Sequence, residues 1–406
     1  MDLKSGYPWW AVKNGLMHEF PALQSDLDCE IAVLGGGITG ALIADEMQRA
    51  GFNVAVLEQR DIAWGSTAAS TALLQYEIDT HLIDLARRYG EADAGLAYTA
   101  CAEAIEQLRD VTRGLRDVGF FRNDSLYVAS RWRDARTLAE EQQARQRWGL
   151  DVAFLAMPEM QREYGLSVPA ALVSRQAACV DPYRMAQRLF QRLHKQGARV
   201  HDRTRVDRVS ATRRRVELVT EHGHRVRAQY LIVAGGYASQ AWLKQKVARN
   251  RSSYAFITDP LDPDELGWLK HTVVWESARP YLYIRATPDH RLLVGGEDDA
   301  IDIPARRDAR VMRKATRLAG KAHGWFPHLP LRPAFAWAGT FAETEDGLPF
   351  FGPHPQYGPR VHFAMAYGGN GITYSMIGAG LLRARIERRR HPLARLFSFE
   401  RLDTRR

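Results

Sequence analysis

Two short stretches near the start of the chain, Glu30–Leu34 (E-I-A-V-L) and Asn53–Leu57 (N-V-A-V-L), are nearly unbroken apolar runs. That pattern marks strands buried on both faces. Between them Ile38–Arg49 has helical periodicity and stops near Gly51. The three segments make a β-α-β unit. His81–Arg116 is rich in Ala, Leu and Arg and reads as helix, as do Arg133–Trp148, Pro182–Gln196 and Ala305–Gly324, with Ile372–Arg389 as a closing helix. Strands are expected at Ser125–Ala129, Arg199–His201, Val206–Ser210, Arg215–Thr220 and Arg225–Val233, with a turn at His222-Gly223-His224. A second strand-rich block covers Tyr254–Thr258, Thr272–Glu276, Tyr281–Ala286 and Leu292–Gly296, and two further strands follow at Pro333–Gly339 and Val361–Ala366.

This order predicts an α/β protein. A discontinuous Rossmann-type nucleotide-binding domain would occupy 28–80, 180–250 and 335–392. A smaller substrate domain, a mixed or antiparallel β-sheet with helices, would take 81–179 and 251–334. Residues 1–27 form an N-terminal arm that the aromatic Tyr7, Trp9 and Trp10 hold to the body, and 393–406 form a tail. A substrate site is expected between the two domains, where clefts usually lie.

Composition narrows the class. The chain has 406 residues, 46% hydrophobic and 25% charged, long enough for two packed domains. No apolar run reaches the length of a membrane span. The first thirty residues carry scattered charges and no apolar core of a secretory signal, so a cytoplasmic chain is expected. Three scattered cysteines, Cys29, Cys101 and Cys179, fit neither a disulfide framework nor a metal cluster. No metal site is expected. The net charge is +9, with arginine clusters at 213–215 and 388–390. Such runs read as solvated surface or as an attraction for anions, and charge alone leaves both open.

The chemistry begins at Gly35, Gly37 and Gly40, spaced G-x-G-x-x-G between a strand and a helix, with Glu58 closing the next strand. Gly35 permits the tight turn, Gly37 lets backbone approach a pyrophosphate, and Gly40 allows helix and strand to pack closely. Ile38 and Thr39 open the helix whose N-terminus faces the negative charge. Glu58, followed by Gln59 and Arg60, would accept from ribose hydroxyls and repel a 2′-phosphate. Ala234, Gly235 and Gly236 end a later strand and bring the chain back to the nucleotide, and Val206 lies in a strand that meets the adenine edge. This second pattern favours FAD over NAD, although an NAD-dependent dehydrogenase remains a competing reading.

These segments, with Trp64-Gly65-Ser66-Thr67-Ala68-Ala69-Ser70, Trp337-Ala338-Gly339, Thr344-Glu345-Asp346-Gly347-Leu348-Pro349 and Gly368-Gly369-Asn370-Gly371-Ile372, occur in an order that resembles the D-amino-acid oxidase (DAO) superfamily. The resemblance runs from about residue 28 to 400. Tyr254–Pro260 and Leu293–Glu297 look closest to the glycine/sarcosine oxidase and γ-glutamylputrescine oxidase branch. The resemblance implies an FAD-dependent amine or amino-acid oxidoreductase. Gly65, Ser66, Thr67, Ala69 and Ser70 would wrap the flavin edge, with Gly339 and Asp346 beside it. Gly369, Asn370, Gly371, Ile372 and Thr373 would turn a helix start toward the flavin pyrimidine. A helix N-terminus there stabilises the negative charge of a reduced flavin.

Two departures shape the expected substrate. No Cys lies between 180 and 406 and no His in 65–70, so the FAD is expected to be non-covalent. In glycine oxidase an Arg following W-A-G-L holds the substrate carboxylate, and Phe341 stands at that place here. An amine or an N-substituted amino acid is therefore favoured over a simple α-amino acid. The expected reaction is hydride transfer from the carbon bearing nitrogen to flavin N5, followed by imine hydrolysis. Candidate catalytic residues are Tyr254, Tyr283, Arg285 and Tyr374. Tyr281, Tyr283 and Arg285 alternate on one strand face, so Arg285 is placed to hold a carboxylate instead of the missing arginine. O2 or another acceptor, such as a quinone or a protein, would reoxidise the flavin. Oxidation of a wobble-uridine side chain on tRNA is an alternative that the basic charge allows, but no RNA-binding module accompanies it.

Overall fold

The computed structural model describes residues 2–300, 302–365 and 367–405, with side chains through 402. The expected strand end at Ala366 and the last residue of the expected tail lie outside the described residues. Two sheets organise the chain. In the eight-stranded sheet, Val361–Met365, Arg225–Val233, Leu27–Leu34, Val54–Leu57 and Arg199–His201 run parallel, in that order. Phe350–Pro353 joins antiparallel at one edge, and the hairpin Val206–Ala211/Val216–Thr220 extends Arg225–Val233. The apolar runs are central because both of their faces are covered. Ile31 and Val33 pack on the helical side, whereas Ala32 and Leu34 enter the core under the hairpin. Helices Ile38–Arg49, Pro182–Lys195 and Gly371–Ile386 cover the first face.

The second sheet has ten strands. Its central order is Phe335–Glu343, Arg249–Ile257, Leu292–Asp299, Leu282–Ala286, Thr272–Glu276, Phe121–Val128 and Ala170–Cys179. All neighbours are antiparallel except Thr272–Glu276 with Phe121–Val128. One face packs Tyr254, Phe256, Val274, Ile284 and Val294 against Ala315, Leu318 and Ala322 of helix Val311–Trp325. The other face turns toward the nucleotide-binding sheet.

Several elements differ from the sequence reading. Phe335–Glu343, expected in the nucleotide-binding part, belongs to the ten-stranded sheet. The arm supplies that sheet's edge strand, Lys4–Gly6, opposite Gly339. Buried Arg307 fixes it there, bonded to Asp302, to Ser5 Oγ and to the carbonyl of Asp2. The single helix expected over 81–116 is two, Leu82–Tyr89 and Glu91–Arg113, separated by Gly90 at φ 89°. Strands Val152–Ala156 and Ala170–Cys179 were not expected. The second (A-A-L-V-S-R-Q-A-A-C) is alanine-rich, and alanine carries little strand preference.

Candidate active site

A cavity of about 460 Å³ lies between the two sheets, within the usual size of ligand pockets. At one end it is bordered by Gly35, Gly37, Ile38 and Thr39, then by Glu58, Gln59, Arg60, Val206, Ala234, Gly235 and Gly236. The local geometry shows why glycines stand here. Gly35 has φ 123°, and a Cβ on it would come within 2.4 Å of the Ala234 carbonyl oxygen. Gly40 does not border the cavity; its Cβ would sit 2.0 Å from the Gly35 carbonyl oxygen, so its role is the close helix–strand approach. Glu58 accepts from the amides of Gly36 at 2.7 Å and Arg60 at 2.9 Å. Burial pushes its carboxyl above the ordinary range, and these amide bonds oppose that shift.

The middle of the cavity is walled by Gly65, Ser66, Thr67, Ala69 and Ser70 on one side and by Gly339 and Phe341 on the other. Thr67 Oγ1 accepts from the Ile38 amide at 3.0 Å and ties the two loops together. Gly369, Asn370, Gly371 and Ile372 border the far end. Part of this helix start is already engaged. The Gly369 amide donates to Asp79 Oδ2 at 3.0 Å, and Asn370 Nδ2 donates to the carbonyls of Gln75 and Glu77.

Five expected site residues have other tasks or other orientations. Arg285 does not border the cavity. It is 1% exposed, and its guanidinium donates to the carbonyls of Thr71 at 2.7 Å and Val180 at 3.1 Å, 5.0 Å from the Trp10 ring centre. It lies two residues past Tyr283 on strand Leu282–Ala286, beyond the cavity wall. Tyr374 donates to the Gly347 carbonyl at 2.8 Å inside the core. Asp346 anchors a turn, accepting from Tyr89, Leu348 and Arg401. Thr373 Oγ1 is directed to the Gln75 carbonyl. Tyr254 borders the cavity, yet its hydroxyl donates to Asp299 at 2.8 Å on the opposite, helix-covered face. Its neighbour Ser253 faces the cavity and meets the Tyr283 hydroxyl at 3.3 Å.

The far end sets Tyr281 and Tyr283, the two tyrosines expected on one strand face, among further groups. Tyr237, Trp275, Tyr281 and Tyr283 form aromatic walls. Trp275 is held rigid by stacking on Tyr127 at 3.7 Å. Two carboxylates stand among them. Asp79 accepts from the Tyr281 hydroxyl at 3.1 Å. Asp298 has a buried Oδ1 that makes no hydrogen bond. Burial raises its pKa to about 6; the Ser253 hydroxyl and Arg279 oppose the shift, and Glu343 and Asp79 add to it. Alternation in Glu297-Asp298-Asp299 was the available signal. Glu297 and Asp299 pair with Lys314 on the helix side, which leaves Asp298 for the cavity.

A model of the DAO family, described as FAD dependent oxidoreductase, matches residues 30–385. The chain belongs to this family. γ-Glutamylputrescine oxidoreductase of Escherichia coli (strain K12) is 26% identical to this DAO-family chain over 394 residues, spanning 94% of this chain and 89% of that protein. Glycine oxidase of Geobacillus kaustophilus (strain HTA426) is 25% identical over 370 residues, 89% of this chain and 93% of its own. Among solved structures, glycine oxidase from Geobacillus kaustophilus has a TM-score of 0.72 at 22% identity, covering 92% of this chain and 98% of that one. L-Proline dehydrogenase from P. horikoshii has a TM-score of 0.77 at 17% identity, covering 93% and 99%. The cavity suits the family's cofactor: the glycine-lined end admits a pyrophosphate against backbone, and side chains at Gly35 or Gly37 would meet Ala234 or Thr67. Among the described residues no helix is long and apolar enough to cross a membrane, and no cluster suits a metal ion.

Proposed function

We propose that this DAO-family chain oxidises the C–N bond of a cationic amine that carries no carboxylate next to the reacting carbon. The observation that carries the reading is the charge of the far end of the cavity. Asp79 and Asp298 face it. The only arginines among the described lining residues, Arg60 and Arg205, stand at the Glu58 end. Arg279 lies outside the lining, 3.6 Å from the Tyr281 ring centre. Phe341, not an arginine, lines the wall after Trp337-Ala338-Gly339-Thr340, and Arg285 is committed to backbone.

FAD, when bound, supplies the hydride acceptor. The protein's part is binding, orientation and proton handling. Gly35, Gly37 and the start of helix Ile38–Arg49 would hold the pyrophosphate and Glu58 the ribose. Tyr237, Trp275, Tyr281 and Tyr283 exclude water and offer ring faces to an ammonium group. Asp298 Oδ1, the unpaired acceptor, takes the N–H of the reacting amine and holds the proton it gives up before oxidation. Asp79, already bonded to Tyr281 and Gly369, remains an anionic wall. No Cys or His is among the described lining residues, which supports a non-covalent flavin.

The test is anaerobic titration of the yellow holoprotein with monoamines, α,ω-diamines, N-methyl amino acids and D-amino acids, followed by air. Bleaching by amines and diamines, with amino acids inert, is the expected result. Bleaching only by amino acids overturns the reading. The rate of recovery in air reports whether O2 serves as acceptor. Acid precipitation is expected to release all of the flavin into solution.

A further inference from the structure

The arginine clusters at 213–215 and 388–390 are far apart in sequence, but they meet on one groove. Arg213, Arg360, Arg385, Arg388 and Arg389 line it, with His362 among them. Arg389 pairs with Glu387. None of the other four has a carboxylate within 4.0 Å among the described residues. Glu400 acts on Arg385 from beyond that distance; the guanidinium groups around the depression still repel one another, and a bound anion would relieve that repulsion.

A second observation points to a ligand. His362 is 4% exposed, and the backbone at Pro359 stands beside its ring outside good hydrogen-bond geometry, so both ring nitrogens lack a well-formed partner among the described residues. The Nε of Arg385 is likewise buried and unpaired, while its Nη2 donates to the Ala394 carbonyl at 2.7 Å. Buried polar atoms in folded proteins nearly always have partners. Arg360 lies 4.6 Å from the ring centre of Tyr230, which keeps its guanidinium over the groove.

The groove is separate from the cavity. Strands Arg225–Val233 and Val361–Met365 run parallel. Arg360 and His362 lie at the start of Val361–Met365, with Tyr230 level with Arg360 on the neighbouring strand, whereas Ala234 and Gly368 border the cavity beyond the strand ends.

We propose that this groove binds a small anion carrying at least two phosphate groups, with His362 and Arg385 at its floor and Arg213, Arg360 and Arg388 at its rim. A single carboxylate would neutralise one guanidinium and leave the others unpaired. A diphosphate or triphosphate matches their number, and guanidinium forks pair with phosphate oxygens through two bonds at once. Burial first, then Arg385, holds the His362 pKa down to about 4. His362 therefore enters as a neutral ring with one N–H to donate, and a bound phosphate favours its protonation.

Arg388 supplies a test that separates binding from folding. It has φ 57°, the left-handed region, just past helix Gly371–Ile386, where glycine is the preferred residue. The holoprotein, its FAD site filled, is titrated calorimetrically with pyrophosphate and with tripolyphosphate at physiological salt. Phosphatidylglycerol vesicles and bulk tRNA form separate arms. The expected result is saturable one-to-one binding of the free polyphosphates with proton uptake. Arg388→Gly weakens that binding about tenfold, leaves or raises the melting temperature, and leaves amine oxidation unchanged. Arg360→Gln weakens it as well. No saturable binding of either polyphosphate overturns the proposal. So does binding confined to vesicles or to tRNA, or affinity that neither variant changes.

Discussion

Arg285 donates to the carbonyl of Thr71 at 2.7 Å, and this bond joins the substrate-side sheet to the segment that walls the middle of the cavity. Trp10, whose indole donates to the Ser70 carbonyl at 2.7 Å, lies beside the same guanidinium. The arm, the 66–72 segment and strand Leu282–Ala286 thus share one buried cation. Arg285→Met keeps the apolar stem and leaves the Thr71 and Val180 carbonyls unpaired. A loss of about 2–3 kcal/mol is expected from losing charged hydrogen bonds, read as a lower denaturation midpoint together with weaker FAD retention. The relative bleaching rates of different amines are expected to hold. A selective rise in KM for carboxylate-bearing substrates at unchanged stability would instead return Arg285 to the substrate site.

Asp298 makes binding at the far end depend on pH. Its folded pKa, about 6, lies above the usual carboxylate value, chiefly through burial. Ser253, Asp79, Glu343 and Arg279 are the polar and charged groups that act on it. A cation binds the ionised form. Affinity for a quaternary diammonium compound, whose own charge never titrates, is therefore expected to fall as pH drops through about 6. Asp298→Asn should bind it weakly and without that pH dependence. Stability runs the other way. Between the unfolded and folded pKa values the folded state holds more protons, so Asp298 lowers stability as pH rises through that window. Asp298→Asn is then expected to raise stability at neutral pH by an amount on the order of 1–2 kcal/mol, after allowing for its partial solvent contact, and not at about pH 4, read as a higher melting temperature at neutral pH alone. A variant that loses the cation while gaining stability cannot owe the loss to misfolding.

The nucleotide-binding half was legible because its signals are local. Glu30–Leu34 and Asn53–Leu57 are covered on both faces and so remain apolar throughout, and Gly35 and Gly40 stand where an added Cβ would lie 2.4 Å or less from a backbone carbonyl oxygen. The substrate end was legible only in part. Alternation placed Tyr281, Tyr283 and Arg285 on one face, but depth along the strand decides which of them reaches the cavity, and the position of the partner sheet sets that depth. The sequence points to Tyr254, whereas Ser253 faces the cavity, and the pairing irregularity between Ser252 and Tyr254 shows why local pattern is weak there. Asp79 and Asp298 come from distant segments and acquire meaning only when folding sets them among the same aromatic rings.

Gly35→Ala tests the phosphate loop. The residue sits at φ 123°, and the added methyl would lie 2.4 Å from the Ala234 carbonyl oxygen. Backbone must move at the junction of two central strands, at a cost of about 1–3 kcal/mol from the conformation alone. A colourless or weakly yellow protein with a lower melting temperature is expected, and added FAD should restore colour only at high concentration. Gly51→Ala provides the control. It too has positive φ, but its Cβ would meet nothing within 4 Å, so it should lose some stability and keep its colour.

Phe341→Arg asks whether charge at the wall sets the substrate class. Phe341 borders the cavity on strand Phe335–Glu343, two residues beyond Gly339 and on the same face. An arginine there places a guanidinium in the compartment that holds Asp298 and Asp79. It would compete with a cationic amine for the carboxylates and offer a fork to an α-carboxylate. Diamine affinity is expected to fall at least about tenfold, the scale of one lost charged contact. N-methyl amino acids or simple amino acids should begin to bleach the flavin. If diamines remain the preferred substrates of Phe341→Arg and amino acids stay inert, the wall at Phe341 does not set substrate class, and recognition rests on the carboxylates and rings opposite it.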